Sequence, residues 1–412
     1  MRFAVALVVL VVGLPACSTP GVARPSSSPS ARPSVAARLD STLDRRSQAV
    51  VSGDEKSFLA DLDPAEHELV VREQVVFANL RQLRFPMLRY RRWDSLGSVE
   101  LARSNPTKVM VAMVVQVDSA GSLPTASGYM YSFLQKGPGI RIVGIEPTPI
   151  SSLPHDLPWD LDSLSAIRAG SLTLAYDSTV SNSDELAQRL SRAAAFVRGK
   201  WGQRPMPDTL FVFMSRSEET IKRWFNAGTP ASGRSFILAG VDPLARPQST
   251  WTSSFVEFWY PTGSTPDYPN GPDPNRVELV ARHEFTHALT VKVRGQRAPA
   301  WALEGFANWV MWGDEQTGRQ FVTGWTRQAA GQGQDVGQLP DDKKMAGGGG
   351  LNYALSQSVF QMVADRWGAG QATDFYVRTI SGSTLDEATK TTFNLSGDDF
   401  LGQWRAYVRT LR

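Results

Sequence analysis

The sequence is poor in two residue types. Among 412 residues there is one Cys, at position 17, and there are four His. A single Cys means that the folded part contains no intramolecular disulfide. Charge of one sign is also scarce. Lys+Arg number 43 against 40 Asp+Glu, a net +3, and no basic run is long, so nucleic acid is not an expected partner. No internal repeat is visible. The longest apolar run, Phe3 to Leu14, is too short to span a membrane well as a mature helix. What remains is an apolar content of 42% with 20% charged residues, which fits a globular protein, and a length that calls for two or three domains.

Two of the four His fall in one turn, in Arg282-His283-Glu284-Phe285-Thr286-His287-Ala288-Leu289. The run from Val277 to Val293 has helical spacing. Val277, Val280, Ala281, Ala288, Leu289 and Val291 form its apolar side and leave a polar stripe. Residues four apart share a helix face, so His283 and His287 can offer two imidazole nitrogens to one ion. Glu284 is displaced by one residue, near such an ion but toward its open side. This is the H-E-x-x-H arrangement, in which the Glu acts as general base beside zinc. A third donor is needed. Glu304 follows His287 by 17 positions, at the start of a second helical stretch, Pro299 to Trp309. It would complete a two-His, one-Glu set with a fourth position left for water.

H-E-F-T-H followed by W-A-L-E-G-F-A resembles the gluzincin branch of zinc peptidases, and in particular the bacterial peptidase MA-like domains. The resemblance covers Leu172 to Arg412. It implies an α+β peptidase domain with a small mixed sheet, an active-site helix and a C-terminal helical bundle. It implies one Zn2+ ion on His283, His287 and Glu304, Glu284 as catalytic base, and a peptide or protein substrate. Gluzincins of the thermolysin type carry an Asp four residues after the third ligand, orienting a zinc-bound His. Asn308 stands there in this chain and would fill that place as an uncharged acceptor. No G-x-M-E-N run is present, which argues against a large M1-type aminopeptidase. The oxyanion donor in this family is a Tyr hydroxyl or a His N–H. His67 and His155 lie outside the C-terminal helical half, so Tyr353, opening a helix after Gly347–Gly350, is the expected donor. Packing of its ring is the competing expectation.

Taken in order, the chain begins with Arg2, the apolar run, and Leu14-Pro15-Ala16-Cys17. These residues resemble a bacterial lipobox, which implies a signal peptide over 1–17, lipidation at Cys17 and a lipid anchor to the outer face of the membrane. Residues 18–36, rich in Ser and Pro, read as a disordered tether. Residues 37–147 read as an α+β domain in which helices precede four strands, Met87–Trp93, Lys108–Val117, Gly128–Leu134 and Ile140–Ile145. That order resembles an NTF2-like cone. Residues 148–163, with three Pro, read as a linker, and 164–412 as the peptidase-like domain.

Within that domain Ser171–Tyr176 and Thr209–Met214 read as strands, with the helix Asp184–Trp201 between them. Ser253–Tyr260 is a third strand. The gluzincin resemblance implies that this strand, ahead of the metal helix, pairs with a substrate backbone, with Phe258 and Tyr260 facing either that groove or the core. The expected function is a membrane-anchored, extracytoplasmic zinc metallopeptidase. The alternative is a non-enzymatic binding or assembly lipoprotein on a peptidase-like scaffold, and hydrolysis of a non-peptide amide is a third reading. The sequence gives no oligomeric state.

Overall fold

The computed structural model describes residues 34–93, 106–117, 124–136, 139–148, 156–228, 231–241, 247–263, 273–312, 316–347 and 349–411. The expected signal peptide, Cys17, nearly all of the tether and residues 149–155 of the expected linker lie outside them. The fold is α+β. No described helix is long and apolar enough to cross a membrane.

The first part is helical. Helices α1 (Val35–Ser52), α2 (Glu55–Leu59) and α3 (His67–Leu83) precede an antiparallel meander of β1 (Met87–Arg92), β2 (Thr107–Gln116), β3 (Thr125–Lys136) and β4 (Gly139–Thr148), in the order β1-β2-β3-β4. Alternation decides which face of the sheet is buried. Val109, Val111, Met113 and Val115 point toward the helices, where they meet Leu39, Leu43, Phe77 and Leu80. Inside this core Arg46 is fully buried. Its guanidinium pairs with Glu73 at 2.7 Å and lies 3.8 Å above the Phe58 ring.

The second part opens with the short helix α4 (Pro158–Leu161) and a five-stranded mixed sheet. Its strands are β5 (Ser165–Ala169), β6 (Leu172–Tyr176), β7 (Leu210–Ser215), β8 (Arg234–Val241) and β9 (Pro247–Trp259), in the order β5-β6-β7-β9-β8. β6, β7 and β9 run parallel, and the two outer strands are antiparallel to their neighbours. Helix α5 (Ser183–Trp201) makes the crossover from β6 to β7, and α6 (Glu218–Arg223) follows β7. Beyond the sheet come α7 (Pro274–Thr290), α8 (Ala300–Trp312), α9 (Gln316–Gly331), α10 (Asp342–Ala346), α11 (Gly350–Trp367), α12 (Ala369–Ile380), α13 (Leu385–Phe393) and α14 (Gly397–Thr410). β5, β8 and α10 were not expected from the sequence.

The five-stranded sheet is covered on both faces. Leu174, Val212, Met214, Val256 and Phe258 pack against Leu186, Leu190 and Val197 of α5 and Val277 and Phe285 of α7. Ala175, Phe211, Phe213 and Phe255 point the other way, into one core with the first part of the chain. Trp159 joins the two. It is fully buried, with ring centroids 5.6 Å from Phe85, 5.9 Å from Phe213 and 5.6 Å from Phe255. The Asn79 side chain donates to the carbonyls of Trp159 (2.9 Å) and Asp162 (2.8 Å) and accepts from the Leu164 N–H (2.9 Å). The described end of the expected linker is therefore docked between the two sheets.

Candidate metal centre

Helix α7 starts at Pro274, three residues ahead of the expected Val277. Asp273 caps it by accepting from the Asn275 N–H, and Pro274 occupies the first turn. Phe285 meets Phe258 of β9 edge-on at 6.1 Å, which turns the opposite stripe toward α8. A following turn, Val291–Val293, carries the chain to α8. Asp342 accepts from the Ala300 N–H at 2.9 Å at the start of α8. The next turn of α8 presents Glu304.

Gly305 sets how close α8 comes to α11. A Cβ there would lie 2.5 Å from the Ser356 carbonyl oxygen. The two helices touch backbone to backbone at this point, and Glu304 and Tyr353 face the same cavity.

The structure brings His283, His287 and Glu304 to one point, with one donor atom from each lying within 4.8 Å of the others. His283 Nε2 is 3.2 Å from His287 Nε2 and 3.2 Å from Glu304 Oε2, and His287 Nε2 is 3.6 Å from Glu304 Oε1. Two nitrogen or oxygen ligands of a tetrahedral zinc ion are separated by about 3.3 Å. The donor set and its spacings fit that ion.

The electrostatics agree with the ligand roles. Burial pushes the Glu304 carboxyl up, but the two imidazoles more than reverse this and hold it well below the usual carboxylate range. Burial pulls His283 down. Its bond to Glu304, the charges of Glu304 and Glu284, and a hydrogen bond with Asn308 outweigh that, and its pKa stands above the ordinary value. A cation at the three donors would compete with that proton. Asn308 is buried on α8, one turn beyond Glu304 and within reach of the His283 ring.

Glu284 is held by residues that carried no sequence signal. The Ser235 hydroxyl of β8 lies 2.9 Å from both the Glu284 carbonyl and its Oε2. Gly233 lies against the Glu284 stem, where an added Cβ would be 2.8 Å from Cγ. The strand beside the site is thus β8 at the sheet edge. β9 lies between β7 and β8, and Phe258 and Tyr260 are buried in the core.

A cavity of about 300 Å³ opens over the donors. Gly233, Arg234, Ser235 and Ile237 form one wall, and Arg294, Leu303 and Tyr353 close the others. Burial, then the charges of Glu304 and Glu284, push the Tyr353 hydroxyl up to about 12. Of the remaining expected residues, His67 is exposed at the start of α3, and His155 lies outside the described residues. Trp404 is fully buried, its indole N–H donating to Ser358 at 2.8 Å.

Compared with protein families and with curated proteins, the chain has no match. Among solved structures it is similar to an M1 zinc metallopeptidase from Deinococcus radiodurans. That pair has 14% identity and a TM-score of 0.33, over 78% of this chain and 69% of that one. A mutant of the same enzyme bound to a Tyr-Ser-Ala substrate gives 14% identity and a TM-score of 0.34, over 77% and 69%. Likeness at this level assigns neither family nor activity.

Proposed function

We propose that the chain is a zinc-dependent metallopeptidase of the gluzincin type, with His283, His287 and Glu304 as ligands. The observation that carries the reading is the convergence of those three donors at tetrahedral ligand spacing, with Glu284 fixed beside them. A zinc ion held by His283, His287 and Glu304 would supply Lewis acidity and would lower the pKa of a water. Glu284 takes the proton of that water as it attacks the peptide carbonyl and passes it to the leaving amine. Ser235 keeps the Glu284 carboxylate oriented for both transfers. Tyr353 donates a hydrogen bond from its hydroxyl to the oxygen on which charge develops. Asn308 orients His283 as an uncharged acceptor.

Glu284→Gln tests this reading. It removes the base and leaves the ligands, so the variant should bind one equivalent of zinc as the unsubstituted chain does and lose hydrolysis of a broad peptide library. Retained turnover in Glu284→Gln overturns the mechanism. An unsubstituted chain that binds zinc and cleaves nothing points instead to the non-enzymatic binding lipoprotein.

The proposal extends to location. Leu14-Pro15-Ala16-Cys17 supports a lipid anchor that holds the protein at the outer face of a bacterial membrane, with residues 18–36 as spacer and an NTF2-like domain between spacer and peptidase-like part. Cys17→Ser should move the protein out of the membrane fraction or block its processing. A variant that stays membrane-bound and normally processed overturns the anchor.

A further inference from the structure

Among the described residues two arginines line the cavity over the donors, and they differ in one respect. Arg234 is engaged. Its guanidinium donates to the Ala227 carbonyl at 3.3 Å. Among the described residues the Arg294 guanidinium makes no hydrogen bond and no ion pair. Arg294 is nevertheless half-buried in the wall of the cavity.

Its backbone is held firmly. The Arg294 N–H donates to Val291 O at 3.2 Å, and the next residue donates to the Ile380 carbonyl at 2.7 Å. The preceding turn is tied down as well, because the Thr290 hydroxyl lies 3.2 Å from the Tyr376 hydroxyl. A partly desolvated guanidinium without an anion is unfavourable, and one held at a cavity wall is prepared for an anion from outside. Its planar fork matches a carboxylate with two parallel hydrogen bonds. Glu284 and Glu304 do not fill that role, since both are committed to the donor cluster and to Ser235. Among the described residues the apolar lining is slight, Ile237 and Leu303, and offers little selection by hydrophobic side chain.

We propose that Arg294 binds a carboxylate of the substrate, and that the ligand accepted by this cavity is a peptide with a carboxylate close to the bond presented to His283, His287 and Glu304. The substrate class rests on the peptidase reading. The carboxylate can come from the peptide C-terminus or from an Asp or Glu side chain.

Binding to the full-length, zinc-loaded Glu284→Gln chain tests the proposal without depending on turnover. Three probes are titrated by calorimetry. They are acetyl-tetraalanine with a free C-terminus, the same peptide as its C-terminal amide, and the amide with the third alanine replaced by glutamate. One of the two anionic probes should bind roughly ten- to a hundredfold tighter than the neutral amide, the range of a charge-assisted hydrogen bond. Which of the two does so identifies the source of the carboxylate. Adding Arg294→Gln should erase the preference and leave the neutral probe's Kd unchanged. Arg294→Lys, which keeps the charge and loses the fork, should retain part of it. Equal binding of all three probes, no binding of any, or an equal loss for all three in Arg294→Gln overturns the proposal. Failure of the peptidase reading would show separately, as absence of hydrolysis by the unsubstituted chain.

Discussion

Tyr353 sits in the first turn of α11 with its side chain in the cavity that holds Glu284 and Glu304. Burial and those two carboxylates raise its pKa to about 12, so the phenol is a hydrogen donor throughout the neutral and moderately alkaline range. A donor used only as charge develops on the substrate oxygen lowers the barrier without tightening substrate binding. Tyr353→Phe should therefore reduce kcat roughly ten- to a thousandfold with little change in KM, in steady-state kinetics on any peptide the enzyme cleaves. An unchanged kcat would mean that Tyr353 only packs. The sequence singled out Tyr353 by its place after a glycine run. It gave no hint of Ser235, whose hydroxyl reaches Glu284 from 49 positions away.

Among the helices, the contact that governs the site is that of α8 with α11 at Gly305. Gly305→Ala places a methyl group 2.5 Å from the Ser356 carbonyl oxygen, so the helices must part and Glu304 moves with α8. The expected cost is about 1 to 3 kcal/mol of stability, as for other overpacked interiors, together with weaker zinc binding. Gly324→Ala in α9 is the control. Nothing lies within 4 Å of its added Cβ, and helix propensity alone should make it neutral or stabilising by up to about 1 kcal/mol. Chemical denaturation and zinc titration of the two variants should separate them, and equal behaviour would remove the argument from close approach. Long elements with a clean period were legible. α1, α3, α5, α7 and α11 lie where their apolar spacing predicts. β8 was not, because Arg234–Val241 has no clean alternation, and its strand form comes from pairing with β9.

On the scale of the molecule, the five-stranded sheet is a wall between two cores, and Glu257 is trapped in it. It pairs in register with Phe213 and so points, like Phe255, toward the first part of the chain. Neither carboxylate oxygen has a hydrogen bond among the described residues, and Arg234 stands 3.9 Å away. Burial pushes its pKa up to about 8, with Arg234 offsetting part of the rise. The folded state then holds a proton that the unfolded chain releases near its ordinary value of 4.5. Its contribution to stability falls as pH rises from about 4.5 to 8. Glu257→Gln removes that dependence. The variant should match the unsubstituted chain near pH 4 and exceed it increasingly up to pH 8, by at most about 5 kcal/mol, in thermal melts across that range. A difference independent of pH would place the carboxyl in water.

The sequence by itself determined the His283, Glu284 and His287 stripe, because residues four apart on one helix share a face whatever surrounds them. It determined the antiparallel order of β1 to β4, whose strands follow one another along the chain. Only the tertiary structure decided that residues 156–163 are docked between the sheets, that β8 rather than β9 borders the cavity, and that Arg294 lines that cavity with no hydrogen bond or ion pair to its guanidinium among the described residues. Those relations join segments that are far apart in sequence, and side-chain packing, which has no period along the chain, selects them.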